Sequence, residues 1–305
     1  MIIIDMMNYQ TFITQKLEAL KTEGRYRIFA NLERHAGNAP YAFWRNPNGD
    51  LLPVVVWCSN DYLNMSHHPE VINAFQKAAA LYGVGSGGTR NISGTANLHV
   101  ELECTLAKLH HKESSLLFTS GYSANEAALC ALGEGLPNCV FFSDEKNHAS
   151  MIQGIRHSKA EKFIFRHNDM DDLRQKLSSV DIKRPKVIAF VSVYSMDGDI
   201  APLKEICDLA KEFNALTYLD EVHAVGIYGP KGNGVAAEQN LLDAIDIIQG
   251  NFAKAYGVVG GYITGSRMLV DFIRSYAPGF IFTTSLPPAV AAAAIQSINI
   301  LQADA

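Results

Sequence analysis

No apolar run in this chain approaches the roughly 20 residues that a membrane-spanning helix needs. The apolar start, Met1 to Met7, is short. It has no basic region before it and no small-residue cleavage site after it, so it does not read as a secretory leader. Cysteine is sparse. Cys58, Cys104, Cys130, Cys139 and Cys207 are odd in number and scattered without a C-x-x-C pair. That pattern excludes a disulfide framework and a cysteine zinc site, and it fits a reduced, cytoplasmic compartment. Basic charge is not in excess: 26 Lys and Arg stand against 31 Asp and Glu, for a formal net charge of −5. With no basic stripe either, nucleic acid is excluded as a partner. The pairs His67-His68 and His110-His111 have no metal-ligand spacing. Adjacent helical residues do not face one site, so both pairs read as surface and no metal is expected.

Core material, by contrast, is plentiful. Hydrophobic residues make up 48% and charged residues 19% of 305 residues, the balance of a folded globular chain and not of a disordered one. At about 150 residues per domain, the length allows two domains or one large α/β domain.

The chain opens with an amphipathic helix predicted over Tyr9 to Thr22, then Gly24 and the basic patch Arg25-Tyr26-Arg27. Turn chemistry at Asn46-Pro47-Asn48-Gly49 precedes a strand at Val54 to Trp57. A helix from Pro69 to Tyr82 leads into a glycine-dense loop, Gly83 to Gly94. A regular alternation follows. Short apolar strands are predicted at Leu116–Phe118, Val140–Phe142, Lys162–Phe165, Val187–Val193, Leu216–Leu219, Ile245–Ile248 and Val259–Thr264. Helices are predicted from Asn125, Ala149 and Met170, and over Pro202 to Phe213. Nearly continuous apolar strands separated by amphipathic helices indicate βαβ units around a mostly parallel sheet buried on both faces. Such sheets bind ligands at the carboxyl ends of their strands.

The residues just past those ends carry the chemistry. Ser120-Gly121-Tyr122 at a helix start is either a plain turn or a phosphate cradle built from backbone N–H groups. Ser143-Asp144, Asn147-His148 and Ser195 follow two further strands. Asp220 and His223 form either a cap with a satisfied histidine or a carboxylate placed to favour a cationic partner. Lys254, between Gly250 and Gly257, is either a surface charge or a Schiff-base lysine with room for a flat ligand. Asp, His and Lys at three strand ends suit pyridoxal 5'-phosphate (PLP). Gly83, Gly85 and Gly88 match G-x-G-x-x-G, but a helix precedes them where the dinucleotide motif requires a strand.

These residues resemble the α-oxoamine synthase family, PLP-dependent acyltransferases of the aspartate aminotransferase fold. The similarity runs from Tyr9 to Pro288 and rests on Asp220-Glu221-Val222-His223-Ala224-Val225-Gly226 and Lys254-Ala255-Tyr256-Gly257. Gly85 to Thr95, Glu23 to Arg27, Trp57 to Leu63, Ser195 to Asp199 and Ser275 to Phe282 are similar to the branch that joins glycine to succinyl-CoA on the way to tetrapyrroles and heme. The resemblance implies a homodimer with its sites at the subunit interface. Lys254 would hold PLP and act as the base, with His223 and His148 as further catalytic groups. Asp220 would pair with the ring nitrogen, His223 and Ser195 with the ring hydroxyl, and His148 would cover the ring face. Ser120, Gly121, Tyr122 and Asn251, with Thr283 of the partner subunit, would hold the phosphate. Arg27, Asn60, Thr89, Asn91, Ile92 and Ser143 would line the substrate end. The alternatives are another branch, of the 2-amino-3-ketobutyrate CoA ligase or 8-amino-7-oxononanoate synthase type, or a non-catalytic fragment that still dimerises.

Two residues beside the lysine depart from the family pattern: Asn251 stands where Thr is usual, and Ala253 where Gly is usual. Benign drift and weakened PLP binding both fit. The family's arginine for the glycine carboxylate has no matching position. The expected organisation is an N-terminal arm (1–60), a large PLP-binding α/β domain (61–286) and the start of a truncated C-terminal domain (287–305). In that reading the helix beginning at Pro287 leaves the core, and the chain stops inside it.

Overall fold

The computed structural model describes residues 7–303; the readings made at Met1 to Met6 and at the terminal Asp304 and Ala305 lie outside the described residues. The chain forms two compact units, Met1–Cys58 and Ser59–Ala305.

In the first unit, α1 (Tyr9–Thr22) begins where its pattern predicts. Asn8 caps it by accepting the Thr11 N–H at 3.1 Å, satisfying one of the free donors of the first turn. Three short strands, β1 (Asn31–Glu33), β2 (Tyr41–Arg45) and β3 (Leu51–Val55), pair antiparallel in that order. Between β2 and β3, the Asn46 side-chain oxygen accepts from the N–H groups of Asn48 and Asp50, and Gly49 takes a φ of +93°. Only glycine adopts that angle freely. The turn is complete at Asp50 and pairing starts at Leu51, so the strand expected at Val54 to Trp57 lies earlier.

The second unit opens with α2 (Pro69–Tyr82), which has proline in its first turn and the His68 side chain as cap. Next comes α3 (Asn97–Leu109), a helix the sequence reading leaves unassigned. Its buried Leu102, Leu106 and Leu109 form a narrow stripe on a polar background. The alternating region is β4 (Ser114–Phe118), α4 (Gly121–Gly135), β5 (Val140–Asp144), α5 (Ala149–His157), β6 (Glu161–Phe165), α6 (Met170–Ser178), β7 (Lys186–Val191), α7 (Leu203–Glu212) and β8 (Leu216–Asp220). It continues with α8 (Val235–Glu238), β9 (Ile247–Asn251), β10 (Gly261–Gly265), α9 (Arg267–Tyr276), α10 (Pro278–Ile281) and α11 (Pro288–Ala303). The seven-stranded sheet has the order β4-β10-β9-β8-β7-β5-β6. Only β10 runs against its neighbours, so the mostly parallel α/β sheet is as expected. Consecutive residues such as Val140, Phe141 and Phe142 are all fully buried. Helices on both faces are the reason such strands carry no polar alternation.

Two expectations are corrected here. The helix from Pro288 does not leave the core. It buries Ala291, Ala294 and Ile298 in an apolar cluster with Leu102 and Leu106 of α3, and Ala293 against Met65 and Val71. Its alanines permit that close approach. His110 is not a surface residue either. It is fully buried, with its Nε2 2.8 Å from the Tyr262 hydroxyl, and burial pushes its pKa down to about 3. A neutral imidazole bonded to a phenol is affordable in a core where an imidazolium is not. Among the described residues, no helix is long and apolar enough to cross a membrane.

Candidate active site

Five loops at the carboxyl ends of parallel strands converge on one cleft of about 240 Å³. Ser120, Gly121 and Tyr122 reach it from β4, His148 from β5, Ser195 from β7, Asp220 and His223 from β8, and Asn251 and Lys254 from β9. Residues far apart in sequence meet because each parallel strand ends on the same edge of the sheet.

At β4 the Ser120 Oγ accepts the Ser123 N–H at 3.0 Å and starts α4 at Gly121, not at Asn125 as predicted. The first-turn N–H groups of Gly121 and Tyr122 have no helical carbonyl behind them and sit at the positive end of the helix dipole. A Cβ at position 121 would stand 2.9 Å from the Cβ of Asn251, so glycine is required for this turn to lie against β9.

The centre of the cleft is buried polar chemistry. Asp220 is 1% exposed. One carboxylate oxygen accepts the Val222 N–H at 3.0 Å and the other accepts the Asn125 amide at 2.8 Å. Burial raises its pKa, against the pull of those two donors and of Lys254. Burial lowers the pKa of Lys254, with the Asp220 charge acting the other way. His223 is pushed down to about 4 by burial, helped by the positive charge of Lys254. It is therefore neutral near pH 7, with its Nδ1 2.8 Å from the Tyr62 hydroxyl. His148 caps α5, its Nδ1 accepting the Ser150 N–H at 3.3 Å. The Tyr122 ring stands edge-on to it, with centroids 6.4 Å apart.

Other residues picked out in the sequence lie elsewhere. Ser143 is buried, donating to the Asp144 carbonyl and accepting from the Asn147 amide, and it does not line the cleft. Thr89 bridges to Thr284, and Asn91 and Ile92 are exposed on the same glycine-rich loop. Arg90 fastens that loop with two hydrogen bonds to Glu103, which also accepts the Leu117 N–H of β4. Thr283 donates to the Gly279 carbonyl at 2.6 Å and borders a separate small cavity. Asn60 is exposed, and Arg27 is an exposed residue of the first unit.

The cleft also holds residues that sequence reasoning missed: Asn125, Lys146, Ser150 and Tyr194. Ser150, two residues past His148, could have been found from its place in a first helical turn. Asn125 carried no such signal. Outside the cleft, His167, Asp197 and Asp199 bring ligand-type atoms within 4.8 Å of one another. Both ring nitrogens of His167 are already engaged, with Asp144 at 2.9 Å and Asp199 at 2.7 Å. A metal ion bound there would have to displace the ring proton shared with Asp199.

The cleft fits PLP. Asp220 is a buried carboxylate whose hydrogen-bond donors are both neutral, a setting that favours a cationic partner such as a protonated ring nitrogen. Asn251, buried at the edge of the cleft beside the first-turn N–H groups of Gly121 and Tyr122, carries an amide NH₂ that can donate to an anionic phosphate. Ala253 is exposed and is not among the residues with positive φ, so its backbone does not demand glycine.

Comparison with known proteins agrees. Residues 53–303 match the family described as aminotransferase class I and II. The chain is 56% identical over 296 residues to the 5-aminolevulinate synthase of Rhizobium meliloti, a match covering 97% of this chain and 73% of that protein. It is 53% identical over 296 residues to the 5-aminolevulinate synthase of Bradyrhizobium diazoefficiens, covering 97% and 72%. A solved structure of SPT with PLP superposes with a TM-score of 0.87 at 31% identity, covering 98% of this chain and 74% of that one.

Proposed function

Because the chain belongs to the aminotransferase class I and II family, and within it to the 5-aminolevulinate synthases, we infer that it condenses glycine with succinyl-CoA, giving 5-aminolevulinate, CoA and carbon dioxide, with PLP as cofactor. The observation that carries this reading is the convergence of Asp220, Lys254, His148 and His223 in one cleft at the strand ends of this fold.

PLP, when bound, supplies an electron sink that makes the α-proton of an attached amino acid removable. The chain's residues then have these roles. Asp220 keeps a proton on the ring nitrogen by holding a negative charge against it, the preorganised electrostatics that dominate many active sites. Lys254 has a lowered pKa, which brings its free amine closer to the range where a base works at neutral pH. His223, neutral and oriented by Tyr62, bonds the ring hydroxyl together with Ser195. His148 covers the ring face. The N–H groups of Gly121 and Tyr122, the Ser120 hydroxyl and the Asn251 amide hold the phosphate, joined by Thr283 of the partner subunit in a homodimer. The substrate end is assigned to Arg27, Asn60, Thr89, Asn91 and Ile92; Ser143, buried against Asn147, is left out of it. Arg27 supplies a planar guanidinium that can grip the distal succinyl carboxylate with two hydrogen bonds.

The purified chain, supplied with PLP, glycine and a panel of acyl-CoAs, tests this reading. Release of CoA and formation of 5-aminolevulinate should be fastest with succinyl-CoA. Lys254→Ala should lower the rate by on the order of 10⁴-fold, the upper range for loss of a general base. A different acyl-CoA outrunning succinyl-CoA would move the chain to another branch of the family.

A further inference from the structure

A chain of hydrogen bonds runs beneath the cleft and connects two groups that the sequence presents separately. Asn125, 2% exposed on α4, donates from Nδ2 to Asp220 at 2.8 Å and to the Ser150 hydroxyl at 3.0 Å. Its Oδ1 accepts the Tyr218 hydroxyl at 2.9 Å. The direction of the amide follows from chemistry. A carboxylate can only accept, so the NH₂ side must face Asp220. Burial raises the pKa of the Tyr218 phenol far above its ordinary value, which keeps it a donor to the amide oxygen.

The remaining links follow. The Ser150 hydroxyl accepts from Asn125 and has one proton left to give. It lies 2.7 Å from Nδ1 of His148. The same Nδ1 receives the Ser150 backbone N–H at 3.3 Å, a group that can only donate. Nδ1 is therefore an acceptor for both, and the ring proton sits on Nε2.

We propose that Asn125 is a positioning residue that fixes the Asp220 carboxylate with one amide hydrogen and, through the Ser150 hydroxyl, sets His148 in its Nε2–H tautomer with the other. One planar side chain thus holds the partner of the cofactor nitrogen and the group over the ring in a single register. The consequence for PLP rests on the cofactor reading above; the tautomer of His148 does not.

Nitrogen NMR on [¹⁵N]histidine-labelled protein, assigned with His148→Gln, tests the tautomer without cofactor. The intact chain should show an unprotonated Nδ1 and a protonated Nε2 on His148. Ser150→Ala removes the shorter of the two bonds to Nδ1 and keeps the backbone N–H, so the Nε2–H share should fall measurably without vanishing, while the PLP Kd changes less than threefold. Asn125→Leu, similar in volume but with no amide, should lower the same share and raise the PLP Kd at least tenfold. A wild-type proton on Nδ1, or an unchanged tautomer in Ser150→Ala, overturns the proposal even if Asn125→Leu does not fold. A folded Asn125→Leu that binds PLP as tightly as wild type overturns the Asp220 half. Absence of PLP binding by the wild type would sink the cofactor reading and leave the tautomer result to stand alone.

Discussion

The two ends of the cleft are built on opposite plans. Around Asp220 both carboxylate oxygens, both ends of the Asn125 amide and the Ser150 hydroxyl are paired with one another before any ligand arrives. Around Asn251 the side-chain oxygen is buried and unpaired, and the first-turn N–H groups of Gly121 and Tyr122 are open. The closed end fixes one charge in one place. The open end offers those N–H groups and the NH₂ of the Asn251 amide as weak donors to a ligand that brings its own charge, while the Asn251 oxygen can only accept. A site that concentrates its function in one group should be fragile there, and a site that shares binding among several groups should tolerate losing one.

Asp220→Ala should break the closed end. It removes the carboxylate and leaves the Asn125 amide and the Val222 N–H facing an empty buried volume. Loss of one preorganised electrostatic group costs roughly 10²–10³-fold in rate, and the same fall is expected in kcat here. Asp220→Asn keeps the shape and should lose nearly as much, because the charge and not the volume sustains the ring proton. If Asp220→Asn retained most of the wild-type kcat, the role of that charge would be wrong.

Gly121→Ala should disturb the join between the two ends. The new Cβ meets Asn251 at 2.9 Å, and overpacking of this kind costs about 1–3 kcal/mol. We expect weaker PLP binding and a lower Tm together, read by equilibrium dialysis and thermal unfolding. Asn251→Ala acts on the open end alone. A hydrogen bond to a charged group is worth about 1.5–3 kcal/mol at most, so PLP affinity should fall about tenfold while kcat at saturating PLP stays within twofold. A large loss of kcat in Asn251→Ala would mean that the two ends are not separable.

That contrast also explains which parts of the site were legible in the sequence. The strands were readable because a sheet covered on both faces needs runs such as Val140-Phe141-Phe142, with no polar interruption. The residues one or two places past each run then stood out, and Ser120, His148, Ser195, Asp220 and Lys254 do line one cleft. Asn125 did not stand out because it sits inside a helix, where an asparagine ordinarily faces water. Its role depends on Asp220, nearly a hundred positions away in sequence. His110 was misread for a related reason. Its partner Tyr262 is distant in sequence, and α3, which carries it inward, was not assigned. Ser143, which the family resemblance puts with the substrate, lies near the end of β5 with its hydroxyl turned to Asn147. Position past a strand selects the right loops; pairing between loops decides which side chains face the ligand.

The smallest expected effect lies outside the cleft, where His167 ties together two of the loops that form it. One ring nitrogen bonds Asp144, in the segment leading to His148; the other bonds Asp199, in the loop that carries Ser195. Burial alone would lower the pKa of His167, but the two carboxylates outweigh it and the net direction is upward. A histidine whose folded pKa is raised gives its full stabilisation below the unfolded value, about 6.5. It loses that stabilisation as pH rises through the folded value. His167→Gln removes the titrating group. The Asp144 contact is enclosed while Asp199 is partly exposed and screened by solvent, so we expect a cost on the order of 1 kcal/mol, or about 2 °C in Tm for a chain of this size. The gap in Tm between wild type and His167→Gln should be widest near pH 6 and should shrink toward pH 9. PLP affinity at pH 6 should change less than twofold, because neither carboxylate reaches the cofactor pocket. A gap that stays constant or widens with pH would show that the imidazolium is not what holds these loops.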